Sequence, residues 1–219
     1  RVKNLENRIE TIISENKLES GGKEASTEIV NAKEKEIVTG SAVGEEKTKR
    51  VYLTFDDGPS KQTERVLNIL KKKKVKATFF AIGREDEFSQ NIYRRIVKEG
   101  HTLGMHSYSH IFNEIYGSLE GFKKDFQRIS GHLEKITGVR PVIYRFPGGS
   151  SNTVNELPVK QYTDFLKEQG VEYFDWNVIA ANGITENVTK KDMVRSVMEG
   201  VAKYDTSIVL LYDSADKKR

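Results

Sequence analysis

The sequence predicts an α/β protein: a sheet of parallel strands joined by helical crossovers, open or closed into a barrel. Three observations predict it. From residue 51 onward, short apolar runs alternate with segments whose apolar residues recur at helical spacing. Glycines stand where the helical segments should stop, at Gly138 and Gly170. The residues richest in chemistry follow directly after apolar runs, at strand carboxyl ends, where parallel folds of both kinds place their sites.

Taken in order, Val51–Phe55 reads as a buried strand. Thr63–Lys73 reads as a helix with Val66, Leu67, Ile69 and Leu70 on its apolar face. Ala77–Ile82 is the next strand, Phe88–Lys98 a helix built on Ile92, Ile96 and Val97, and Thr102–His106 a short strand. Leu119–Thr137 is a long helix and Val142–Arg145 a strand. Tyr162–Gln169 is a helix, Glu172–Val178 a strand, Lys190–Lys203 a helix and Ser207–Tyr212 the last strand. No internal repeat interrupts this alternation.

Composition sets the outer limits. The chain has 219 residues, 37% hydrophobic and 31% charged, and no apolar run of the length that crosses a membrane. It has no cysteine, which excludes disulfides and thiolate metal sites. The net charge of +4 is a weak excess, and the densest basic run, Lys71 to Lys74, suits a solvated helix end. No nucleic-acid partner is expected, nor membrane contact by the domain itself. Residues 1–50 hold ten Lys/Arg, ten Asp/Glu and no aromatic, proline or histidine, so they cannot build a core of their own. Val2, Leu5, Ile9 and Ile12 form a short helical stripe, and a Gly- and Lys/Glu-rich spacer follows. This divides the chain into a helical stalk or linker, 1–50, and a globular domain, 51–219.

Three strand ends carry the candidate chemistry. The first is Thr54-Phe55-Asp56-Asp57-Gly58-Pro59, where one carboxylate could ligate a metal while its neighbour takes a proton from water. A capped turn would use the same residues. The second is His106-Ser107-Tyr108-Ser109-His110, with two imidazoles at i and i+4. With Asp57 they would make a two-histidine, one-carboxylate set that leaves positions open. His101 and His132 read as ordinary surface or half-buried histidines. The third is Arg145-Phe146-Pro147-Gly148-Gly149-Ser150, whose arginine could hold a carboxylate and whose glycine turn could offer backbone N–H groups to an oxyanion.

The order and spacing of these blocks, from about Val51 to Ser214, resemble the polysaccharide deacetylases of carbohydrate esterase family four. The Arg-Phe-Pro-Gly-Gly-Ser form looks like a Gram-positive branch. The resemblance implies a distorted, incomplete (β/α) barrel of about seven units or fewer. It implies hydrolysis of an acetyl group, most often the N-acetyl of an amino sugar in peptidoglycan or a related cell-wall glycan, outside the cell or at its surface. By the same resemblance Asp57, His106 and His110 match the ligands of a divalent metal, zinc foremost and cobalt or another transition metal otherwise. Asp56 matches the general base and Arg145 the residue that orients it. A backbone N–H near Gly148 matches the oxyanion donor, and Trp176 and Leu211 match walls of the acetate pocket.

The chain departs from the family pattern at two positions. The last strand reads Leu210-Leu211-Tyr212-Asp213, so Tyr212 stands where the family has the histidine that protonates the leaving amine. Asn182 falls where the family has an aspartate that tunes that histidine. Three readings follow: a deacetylase, an O-acetyl esterase whose leaving group needs less help, or a glycan-binding pseudoenzyme. The family also continues beyond Ser214 into a further helix and strand, which are expected to be missing here.

Overall fold

The computed structural model describes residues 49–155, 157–180 and 188–214, and within them the alternation read from the sequence becomes seven strands and six helices. The strands are β1 (Arg50–Asp56), β2 (Thr78–Ile82), β3 (Thr102–Ser107), β4 (Ile143–Tyr144), β5 (Glu172–Tyr173), β6 (Val178–Ile179) and β7 (Thr206–Tyr212). The helices are α1 (Lys61–Lys73), α2 (Glu87–Lys98), α3 (Phe112–Tyr116), α4 (Leu119–Thr137), α5 (Val159–Glu168) and α6 (Lys190–Lys203). Residues 1–48 of the stalk expected over 1–50, the expected tuning position Asn182 and the chain after Ser214 lie outside the described residues.

All pairings are parallel, and the strand order is β5-β4-β3-β2-β1-β7-β6. Read across the sheet, strand numbers fall one step at a time from β5 to β1, the last strand β7 then pairs with the first, and β5 and β6 form the two edges. This is barrel order rather than the reversed order of an open doubly wound sheet. The sheet curls into an incomplete barrel, as the resemblance implies. One expectation is corrected here: Glu172–Val178 is not one strand. Its two ends belong to opposite edges of the sheet, with β5 against β4 and β6 against β7. Residues 174–177 join them, and five Cα steps reach at most about 17 Å. The connector therefore draws the two sheet edges together without hydrogen-bonding them as strands.

Local chemistry explains the helix boundaries. α1 starts at Ser60, whose side chain accepts from Gln62 N, with Thr63 completing a capping box. α4 starts at Ser118 and stops at Gly138, which at φ 73 donates its N–H to Glu134 O. Phe122, Asp125, Phe126, Ile129, Ser130 and Leu133 are its buried residues, a 3-4 spacing that lays one face on the sheet. α3 was not foreseen, since five residues are too few to show a period. At the start of β1, Lys49 Nζ donates to the carbonyls of Val201, Ala202 and Tyr204 at 2.8–3.3 Å, capping the end of α6.

The core between helices and sheet is largely aromatic. Phe122 is wholly buried, and its ring meets those of Tyr162, Tyr144, Phe146 and Phe165 at centroid distances of 4.9–6.0 Å. Such pairs add to the energy of burial itself. Phe122→Ala is expected to lower unfolding free energy by about 3–5 kcal/mol, seen as a lower urea midpoint at unchanged slope.

Candidate metal and catalytic centre

β1 delivers the first group of the site. Thr54 and Asp56 are two residues apart on one strand and so share its inner face. Asp57, one residue on, leaves the strand at φ 77, where it turns to a different direction. Its N–H still donates to Phe80 O at 3.2 Å, which holds the turn against β2. β3 and the loop after it supply the two histidines. His106 lies in the strand and His110 follows at φ 55. Both Nε2 atoms stand 3.2 Å from the same oxygen, Asp57 Oδ1.

The protonation state of the imidazoles follows from their surroundings. His106 Nδ1 is 2.7 Å from the carbonyl oxygen of Arg145, which can only accept, so Nδ1 carries the proton and Nε2 presents a lone pair. Burial pushes the His106 pKa below its ordinary value. Burial first, and then the neighbouring His106, pushes His110 down to about 4. At neutral pH both rings are uncharged rather than cationic and able to donate a lone pair. Two neutral imidazole nitrogens and a carboxylate oxygen, all within 4.8 Å of one another, fit a divalent transition metal.

The loop that carries the histidines is held by a carboxylate that sequence reasoning missed. Asp125, buried on α4, accepts from Ser107 Oγ at 2.8 Å and from the N–H groups of Tyr108 and Ser109 at 2.9 Å each. Ser107 Oγ in turn accepts from His110 N at 2.9 Å. Asp125 falls within the apolar stripe of α4, and a carboxylate on the buried face of a helix was the available signal. Tyr108 anchors the loop on the other side. Its hydroxyl donates to Glu85, and the Arg128 guanidinium lies 3.6 Å above its ring.

Arg145 closes β4 and is wholly buried. Its Nη1 donates to Asp56 Oδ1 at 2.9 Å and to Thr54 Oγ1 at 2.6 Å. Its Nε donates to Phe174 O at 2.8 Å and its Nη2 to Asp175 O at 3.3 Å, both in the connector between β5 and β6. The guanidinium also lies 4.2 Å over the Phe80 ring and 5.6 Å from that of Trp176. Thr54 and Asp175 are further site residues that the sequence reading did not single out.

The remaining expected residues surround this centre. β1 and β7 pair so that Asp56 stands opposite Tyr212, on adjacent strands about 4.8 Å apart. Tyr212 is 47% exposed, and burial of part of its ring and the nearby Asp56 push its pKa up from 10. Leu211 pairs with Phe55 and packs against the core. In the Pro-Gly-Gly turn the Gly149 N–H is taken by Phe146 O at 2.8 Å, and Gly148 is the exposed glycine. Trp176 packs on this turn, since a Cβ on Gly149 would lie 3.1 Å from its ring. Asp175 fixes the same turn by accepting from Ser150 N at 2.9 Å and from its hydroxyl.

A curled parallel sheet with a histidine-histidine-carboxylate set at its strand ends is an incomplete (β/α) barrel whose donor set could hold a metal. Residues 43–164 match the family model of the polysaccharide deacetylases. The chain belongs to that family. It is 32% identical over 169 residues to a peptidoglycan-N-acetylglucosamine deacetylase of Bacillus cereus, an alignment covering 75% of this chain and 60% of that protein. Among solved structures it is similar to the catalytic domain of the peptidoglycan N-acetylglucosamine deacetylase of Eubacterium rectale, with 36% identity and a TM-score of 0.73 over 82% of this chain and 83% of that one. A mutant of BA3943, described as a CE4 family pseudoenzyme with restored enzymatic activity, is 27% identical with a TM-score of 0.61 over 77% of this chain and 58% of that one. The chain spans 54–60% of the length of the first curated relatives it matches.

Two outcomes test this geometry. In metal-free protein, His110 stays neutral in the fold to about pH 4 but takes a proton near 6.5 when unfolded. The unfolded state then binds more protons between those values, so stability falls as pH drops from about 6.5 to 4. His110→Asn should flatten that decline in urea midpoints measured across the range. Separately, a residue with a side chain at φ 77 carries backbone strain that glycine does not. Metal-free Asp57→Gly should therefore be more stable than Asp57→Ala by about 1 kcal/mol in chemical denaturation.

Proposed function

We propose that this chain is a metal-dependent hydrolase that removes acetyl groups, most often the N-acetyl of amino sugars in peptidoglycan or a related cell-wall glycan. The observation that carries the reading is a single one: the Asp57–His106–His110 donor set adjoins a second carboxylate, Asp56, that is clamped by a buried arginine. Such a polymer lies outside the membrane, so the domain would act there. Among the described residues no helix is long and apolar enough to cross a membrane.

Asp57, His106 and His110 would hold the metal, zinc foremost. When bound there, it supplies Lewis acidity that lowers the pKa of water to about 7 and polarises the acetyl carbonyl. Asp56 takes the proton of the attacking water. Arg145 orients that carboxylate, and Thr54 fixes the guanidinium in turn. A backbone N–H of the Gly148 turn donates to the oxyanion as the carbonyl carbon becomes tetrahedral. Trp176 and Leu211 wall the acetyl group. Tyr212, opposite Asp56, is the group positioned to donate a hydrogen bond or proton to the leaving atom.

The raised pKa of Tyr212 favours a second reading. The phenol keeps its proton throughout the neutral range and gives it up reluctantly, so amine expulsion is slow. An alkoxide needs less help, which favours O-acetyl esters. In the limit the domain binds glycan with little turnover. The pseudoenzyme relative supports the idea that this fold persists without full activity.

The deciding experiment is acetate release from N-acetylglucosamine oligomers, peptidoglycan and a small acetyl ester, with Zn²⁺ or Co²⁺ added. Turnover should vanish in Asp57→Ala and fall by about 10²–10⁴-fold in Asp56→Asn. Tyr212→His should raise amide turnover more than ester turnover. If the unmodified chain releases acetate from none of these, the hydrolase reading fails. Activity appearing only in Tyr212→His would establish the pseudoenzyme reading.

A further inference from the structure

One buried ionisable group has no part in the chemistry above. Asp213 is 1% exposed, and its carboxyl sits in a recess walled by Phe55, Phe79, Phe80 and Ile96. Burial pushes its pKa up to about 7. A carboxyl in apolar surroundings is costly to keep, so its place in the fold needs a reason.

The Asp56–Ser60 turn is wrapped around this residue. The Asp213 N–H donates to Asp56 O at 3.2 Å. The Asp213 carbonyl accepts from Ser60 Oγ and, at 3.5 Å, from Thr63 Oγ1. The side-chain oxygens of Asp213 stand 2.6 and 2.8 Å from the point a Cβ on Gly58 would occupy, and Thr63 Oγ1 stands 2.7 Å from it. The peptide after Asp57 therefore rests directly on this carboxyl and hydroxyl. From the opposite side β2 grips the same turn, with Asp57 N–H on Phe80 O and Ile82 N–H on Gly58 O at 2.9 Å. Between these two supports Asp57 is held at φ 77, a conformation that persists only where its surroundings impose it.

We propose that Asp213, braced by Thr63, is a positioning residue: it is the strut that holds Asp57 in its left-handed conformation and keeps the carboxylate aimed at His106 and His110. The inference deepens the metal-hydrolase reading and rests on it only for the role of the metal.

The test uses the whole chain with Co²⁺ as the probe, comparing the unmodified protein with Asp213→Asn, Asp213→Ala and Thr63→Val. Circular dichroism first establishes which variants are folded. Amide exchange in metal-free protein then reads the Asp57 and Ile82 N–H groups, and the visible spectrum of cobalt reads ligand geometry and affinity. In Asp213→Ala those two amides should exchange at least about tenfold faster while α4 amides are unchanged. Cobalt affinity should fall by about 10–100-fold, the usual effect of losing a group that orients a ligand. Asp213→Asn, which keeps the shape of the protonated acid, should restore both. Thr63→Val carries the same comparison if Asp213→Ala does not fold. Unchanged exchange and cobalt binding in the folded variants would overturn the strut, and so would faster exchange spread evenly over the domain. If the unmodified chain takes up no cobalt, the metal reading falls, and the exchange data alone decide the strut.

Discussion

Burying a guanidinium is tolerable only when its donors find acceptors, and Arg145 is buried completely. Its acceptors are drawn from two places that the chain connects only through distant loops. Thr54 and Asp56 lie on β1, whereas the carbonyls of Phe174 and Asp175 lie in the connector between the sheet edges. The same bonds that orient the candidate base also pull the seam of the barrel inward. The main chain of Arg145 completes the arrangement: its carbonyl sets the His106 tautomer, and its N–H donates to Met105 O at 2.9 Å. One residue thus joins the histidine-carboxylate donor set, the second carboxylate Asp56 and the closure of the sheet.

Much of this was legible in the sequence because it is written in short-range signals. Short apolar runs located β1, β2, β3 and β7, and Gly138 marked the end of α4. The grouping of Asp57, His106 and His110 was legible because each follows or ends such a strand. What was not legible depends on distance along the chain. Glu172–Val178 has the composition of one strand, and only the curl of the sheet assigns its ends to opposite edges. Asp125, Asp175 and Asp213 read as ordinary acids until the fold buries Asp125 and Asp213 and sets Asp175 against the Ser150 N–H and hydroxyl. Thr54 becomes a site residue only because an arginine 91 positions later reaches it.

The parts of the centre differ in how deeply the fold is invested in them. Asp56, Asp57, His106 and Arg145 are all buried, and each is tied to two or more elements. Tyr212 is placed by strand register, and nearly half of its surface is exposed. A change at that position leaves core packing and the donor set largely as they are. The position proposed for the acid is therefore the one that sequence change can replace while the barrel and its donor set persist.

Two of the three donor residues, Asp57 and His110, sit at positive φ, where side chains other than glycine are strained. The strain gives the lineage of such a chain a direction. Substitutions that relax either position ease backbone strain while removing a donor, so selection for folding alone drives the domain toward a more durable descendant without the donor set. Only continued demand for the proposed reaction holds the two donors where they are.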